Sequence, residues 1–138
     1  MANEIQDREA IRELLAVYCF MLDGGQHREM ANLFTEDGVW DTAFGTGTGR
    51  AGIVAQLQKI AALAPDPRPR RAHLTTNIVI ELNGDAATVR SNWTVIENSA
   101  AGPRISSGGE YRDRLVRQGG RWLFEYRKID RFIADGLF

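Results

Sequence analysis

His73-Leu-Thr-Thr-Asn-Ile-Val-Ile80 is an apolar, β-branched run with a histidine at its head, and it opens the half of the chain that decides the fold. It predicts a strand over 73–82, and three more extended runs follow over 86–98, 104–116 and 121–133, rich in residues that suit a pleated surface. Asn83-Gly84-Asp85 and Gln118-Gly119-Gly120 are short, glycine-bearing connections of the kind antiparallel hairpins need. The C-terminal half is therefore read as a meander of long strands.

The N-terminal half has a different period. From Asp7 to Leu22, Ile11, Leu14, Leu15, Tyr18 and Leu22 recur at three-four spacing while Arg8, Glu9, Arg12 and Glu13 stay polar, which predicts an amphipathic helix ending at Gly24-Gly25. A second short helix is predicted over 27–34, then an edge strand over 39–44. Gly45 to Gly49 alternates glycine and threonine but lacks the lysine of a phosphate loop, and is read as a loop into a third helix over 51–63. Pro65-Asp66-Pro67-Arg68-Pro69 ends that helix, and Arg68, Arg70 and Arg71 either attract an anionic ligand or form soluble surface. Helices ahead of a long sheet give an α+β domain in which a curved sheet wraps the first helix. One domain over 1–138 is expected.

Composition narrows the function classes. With 43% hydrophobic and 25% charged residues and a net charge of -1, the chain is too balanced for an electrostatic nucleic-acid binder. No apolar run approaches the roughly 18 residues that span a bilayer, and the polar, acidic start is unlike a leader, so a cytoplasmic protein off the membrane is expected. Cys19 is the only cysteine and reads as a small buried hydrophobe. His27 and His73 stand about 46 residues apart with no carboxylate-histidine motif, so neither a metal nor a cofactor is expected.

His73 is then the candidate proton carrier near neutral pH, and Tyr18-Cys-Phe-Met-Leu-Asp-Gly-Gly25 supplies a phenol and a carboxylate that could orient or assist it. By spacing alone His73 either caps a strand or lines a site. Asp23, beside Gly24, either closes the helix or faces that site, and Tyr18 lies on the apolar stripe. Apolar residues fall on both strand faces, with Ala87, Val89, Ser91, Trp93 and Val95 opposite Ile96, and Trp122, Phe124 and Tyr126 opposite Leu123, Arg127 and Ile129. Such a sheet points to a homo-oligomer, a dimer or trimer.

Tyr18-x4-Asp23-Gly, Leu33-Phe34-Thr35-Glu36-Asp37-Gly38, Gly49-Arg50, His73-x3-Asn77 and Gly120-Arg121-Trp122, in this order and spacing, resemble the SnoaL-like branch of the nuclear transport factor 2 superfamily over about 7–133. The resemblance implies a cone-shaped α+β barrel, also called cystatin-like, with N-terminal helices packed in a curved antiparallel or mixed sheet around a deep apolar pocket. The site pattern is similar to that of scytalone dehydratase, bile acid 7-alpha dehydratase and hexachlorocyclohexane dehydrochlorinase. Their aspartate and strand histidine fall on Asp23 and His73, and the tyrosine of similar dehydratases on Tyr18. This implies a cofactor-independent lyase, a dehydratase acting on a small apolar cyclic or polycyclic hydroxylated carbonyl compound, with His73 as base, Asp23 as its orienter and Tyr18 as donor.

Two other readings stay open. Ketosteroid isomerase is similar, and its tyrosine and shuttling aspartate align with Tyr18 and Asp41, which implies an isomerase or polyketide cyclase; its second acid is not matched, Tyr111 standing near that place. The second histidine of scytalone dehydratase is also missing, leaving Asn92, Tyr111 or Arg127 to assist the leaving group. The other reading is a noncatalytic ligand binder, or a subunit like the β chain of ring-hydroxylating dioxygenases. Expected pocket contacts are Phe20, Trp40, Asp41, Phe44, Asn77, Trp93, Tyr111 and Arg127, with Ile53 and Leu57 given to packing.

Overall fold

A computed structural model describes residues 3–134, so the single domain expected over 1–138 reaches beyond the described residues at both ends. The elements run α1 Glu4–Asp23, α2 His27–Ala31, β1 Phe34–Thr42, β2 Gly45–Thr48, α3 Gly49–Ala62, β3 Arg71–Asn83, β4 Ala86–Ser99, β5 Gly102–Gln118 and β6 Arg121–Ala134. The six strands form one mixed sheet in the order β2-β1-β6-β5-β4-β3, parallel only between β1 and β6.

α1 starts where the Asn3 side chain accepts the main-chain N–H groups of Ile5 and Gln6, satisfying two donors that have no partner inside the helix. Its apolar stripe, Ile11, Leu14, Leu15, Tyr18 and Cys19, is buried against the sheet. Polar ties fix the crossing: Arg8 Nη1 donates to the Ile80 carbonyl at 2.8 Å, and Asp7 Oδ1 accepts from Trp122 Nε1 at 3.1 Å and Arg117 Nη1 at 2.8 Å. The closing Gly120-Arg121-Trp122 motif is thus an anchor for the first turn of α1.

β1 is longer than expected and is not an edge. It begins at Phe34, shortening α2 to His27–Ala31, and lies between β2 and β6. The glycine-threonine stretch, read as a loop, is the strand β2. Its glycines serve packing: a Cβ on Gly47 would stand 2.8 Å from the Cα of Ile53 and from the Gly52 carbonyl, so only glycine lets β2 lie against the start of α3. Arg50 donates from Nε and Nη2 to the Phe34 carbonyl at 3.1 and 3.0 Å, pinning α3 to β1.

Bulges explain why both strand faces looked apolar. On β4 the row Ala87, Val89, Ser91, Trp93, Val95 is buried, as strict alternation requires. On β6 the register slips at Glu125, where Leu115 pairs with Phe124 but Arg114 with Tyr126. One extra residue reverses the facing, so Phe124 and Arg127 both point inward and are fully buried, while Tyr126 turns outward. β3 does the same: Arg71, His73 and Thr75 are the covered positions ahead of the slip between Thr76 and Val79, and from Ile78 onward the covered positions are Ile78, Ile80 and Leu82.

Candidate functional site

The concave face of the sheet, the C-terminal end of α1, α3 and the segment 63–69 enclose a cavity of about 510 Å³. Strand pairing builds its wall in rows. Trp93 stands opposite Gly109, His73 opposite Val95 and Val95 opposite Ser107, and Arg71 opposite Glu97 and Glu97 opposite Arg104. The rows pass from aromatic, through the histidine level, to a charged rim.

Asp23, the last residue of α1, holds His73 at two points. Its Oδ2 accepts the His73 main-chain N–H at 2.7 Å and its Oδ1 meets the ring Nδ1 at 2.5 Å. With both carboxylate oxygens accepting, Nδ1 carries the proton and Nε2 is the basic nitrogen of the ring. The ring lies near-parallel to Trp93 at 6.3 Å and lines the cavity, and Arg71 Nε approaches Asp23 Oδ1 at 3.4 Å.

Tyr18 also lines the cavity, its hydroxyl accepting from Trp40 Nε1 at 2.9 Å. With that lone pair used, the phenol's own proton is the group it offers a ligand. Burial pushes the Tyr18 phenol up to about 12, against the opposing pull of the Arg127 cation and the Trp40 bond, so it is a neutral donor at physiological pH. Tyr111 is likewise pushed up by burial and packs edge-on to Tyr18 and stacked on Trp93, each pair with ring centres 6.0 Å apart.

Beneath these rings lies an ion pair absent from the sequence reading. Arg127 donates to Asp113 from Nε at 2.9 Å and Nη2 at 3.2 Å, and neither side chain has any exposed surface. The guanidinium carbon sits 3.6 Å from the Tyr111 ring centre, 4.2 Å from that of Tyr18 and 4.6 Å from that of Phe124. Burial opposes the Arg127 charge, yet Asp113 and the phenols outweigh it and hold the group more firmly cationic than usual. Its Nη1 has no hydrogen-bond partner among the described residues, and aromatic faces take the place of water around this weakly hydrated cation. Asp113 and Arg127 are direct cross-strand partners, a pairing visible only once the slip at Glu125 is known.

Of the residues singled out from sequence, His73, Tyr18, Trp40, Phe44, Trp93 and Tyr111 line the cavity, and Asp23 stands behind His73. Four expected contacts lie elsewhere. Phe20 is on the solvent stripe of α1, 79% exposed. Asp41 alternates with Trp40 on β1 and faces away, its Oδ2 accepting from Tyr126 at 2.5 Å and its Oδ1 from Thr46 at 3.0 Å. Asn77 occupies the β3 bulge at φ 55°, exposed, donating to Asn92 Oδ1 at 2.9 Å. Arg127 lies behind the wall formed by Tyr18 and Tyr111. Asn92 donates to the Gly109 carbonyl. His27 is partly covered in the first turn of α2. Of the packing pair, Ile53 and Leu57 are buried in the core.

This combination of helices in a curved mixed sheet with a histidine-bearing cavity defines an α+β cone. The chain belongs to the family of SnoaL-like domains, whose model matches residues 3–128. No curated protein sequence gives a significant match. Among solved structures it is similar to a variant of Rv3472, a protein of unknown function from Mycobacterium tuberculosis, at 32% identity and TM-score 0.82 over 94% of this chain and 73% of that one. It is similar to a nuclear transport factor 2-like protein with a cystatin-like fold from Novosphingobium aromaticivorans, at 28% identity and TM-score 0.81 over 96% and 85% of the two chains. It is also similar to a Catenulispora acidiphila protein in complex with S-DNPA, at 26% identity and TM-score 0.81 over 92% and 94%. The fold is thus nuclear transport factor 2-like, and no described helix is long and apolar enough to cross a membrane.

Proposed function

We propose that this SnoaL-like domain is a cofactor-independent lyase that removes water from a hydroxylated cyclic or polycyclic carbonyl compound. The observation that carries the reading is the Asp23–His73 pair, held through both carboxylate oxygens, with His73 lining a cavity that Tyr18 also lines. His73 Nε2 takes the proton from the carbon beside the substrate carbonyl, and Tyr18 donates to the oxygen on which negative charge develops. The electron pair then forms the carbon–carbon double bond as the β-hydroxyl leaves, and the imidazolium returns its proton to that group, releasing water. Asp23 fixes the ring tautomer and stabilises the imidazolium between the two transfers.

The isomerase reading needs Asp41 beside the reacting carbon, and Asp41 faces away from the cavity into bonds with Tyr126 and Thr46. Cyclic β-hydroxy ketones offered to the protein should yield the conjugated enone, followed by its ultraviolet absorbance. His73→Gln should lower the rate by about 10²–10⁴-fold, the usual contribution of a positioned base, whereas Asp41→Asn should leave it nearly intact. Loss of turnover in Asp41→Asn with an active His73→Gln would sink the lyase reading in favour of the isomerase.

A further inference from the structure

The cavity wall changes character from floor to rim. Its inner part is aromatic, whereas four arginines, Arg68, Arg71, Arg104 and Arg131, line it together with a single carboxylate, Glu97. Arg104 neutralises Glu97, donating to Oε1 from Nε at 3.1 Å and Nη2 at 3.0 Å. The other nearby carboxylate, Asp23, is engaged by the His73 ring and main chain. Among the described residues, arginines outnumber carboxylates around this rim.

Arg71 and Arg68 are the two best placed to use that surplus. Arg71 shares the inner face of β3 with His73, two residues away, so the two Cα atoms are about 6.6 Å apart along the strand. Its Nε is buried and makes no hydrogen bond among the described residues, its charge facing Asp23 Oδ1 in an ion pair at 3.4 Å. Arg68 reaches the rim from the proline-rich segment, with no hydrogen bond to an acceptor among the described residues. Partial burial lowers its pKa, against the pull of Asp23 and Glu97.

We propose that the substrate of this site carries a carboxylate on the edge remote from the reacting carbon, held at the rim by Arg68 and Arg71 while its rings lie on Trp93 and Tyr111. The inference rests on the cavity being the substrate site and adds an orientation: the anion at the rim sets which carbon is presented to His73. A planar carboxylate suits a guanidinium fork, which can meet both of its oxygens with parallel N–H groups.

Calorimetry with matched probes tests this apart from turnover. Naphthalene-2-carboxylate should bind the intact protein about tenfold more tightly than methyl naphthalene-2-carboxylate, a preference that shrinks as salt is raised. Arg68→Gln and Arg71→Gln should each reduce the acid-over-ester ratio to about threefold or less. Arg68 sits on an exposed segment, so folding of that variant is not in question. Equal or tighter binding of the ester, an unchanged ratio in Arg68→Gln, or stronger binding of 2-naphthyl phosphate than of the carboxylate would overturn the proposal. Acid preference without elimination in any β-hydroxy ketone would instead remove the lyase reading and leave the anion site standing.

Discussion

At the scale of single residues, the sequence showed which side chains to compare but not how they would face one another. A histidine entering a strand and an aspartate closing a helix meet because α1 crosses β3, and their bond at 2.5 Å joins residues fifty apart. Asp41 was not legible, because facing on β1 alternates and Trp40 takes the inward position. The phenols offer a test of the electrostatics. Tyr18 and Tyr111 are raised by burial, and Tyr126 chiefly by its bond to Asp41. Tyr18 and Tyr111 should therefore stay protonated at the ordinary value of 10 in the native protein, and both should titrate there once unfolded. For Tyr18 the folded value near 12 exceeds the unfolded 10, so its contribution to stability is full below pH 10 and is lost as pH rises toward 12. That loss is roughly 3 kcal/mol for a shift of two units, read as a fall in the urea midpoint. A native titration at pH 10 would show the ring is not buried as described.

At the scale of elements, periodicity located α1, α3 and the four long strands to within a few residues, but it could not place the bulges. A slip moves no residue type in the sequence, yet it reverses every side chain beyond it, and this is why Phe124 and Arg127 share an interior that alternation had divided between two faces. Asn77 marks such a slip. Its φ of 55° lies in the left-handed region, where asparagine and glycine are tolerated and β-branched residues are strained. Asn77→Gly should stay within about 0.5 kcal/mol of the parent and Asn77→Val should cost about 1–3 kcal/mol, measured by urea unfolding. A large loss in the glycine variant with unchanged ligand binding would assign Asn77 a role beyond backbone conformation.

At the scale of the whole molecule, two features set the design. The Arg127–Asp113 pair is buried where a hydrophobic core would ordinarily continue, and its value lies in being complete. Arg127→Met, which strands the carboxylate, should cost about 3–5 kcal/mol, whereas Arg127→Met with Asp113→Leu should cost much less; equal losses would show that the ion pair is not the source. The outer face presents Ile105 at 61%, Phe132 at 65% and Ile133 at 53% exposure, so the homo-oligomer expected from the two-faced sheet has a candidate surface. Sedimentation should show a dimer or trimer that Ile105→Asp weakens, and a monomer at all concentrations would remove that expectation. The central claim, that His73 oriented by Asp23 abstracts a proton beside a carbonyl in this cavity, is tested most directly in D₂O. A cyclic β-hydroxy ketone is incubated with the protein and followed by proton NMR. Enone formation by the parent, reduced by about 10²-fold or more in both His73→Gln and Asp23→Asn, is the expected result; enone formed equally by parent and both variants, or by none of them across a panel of such ketones, would contradict it.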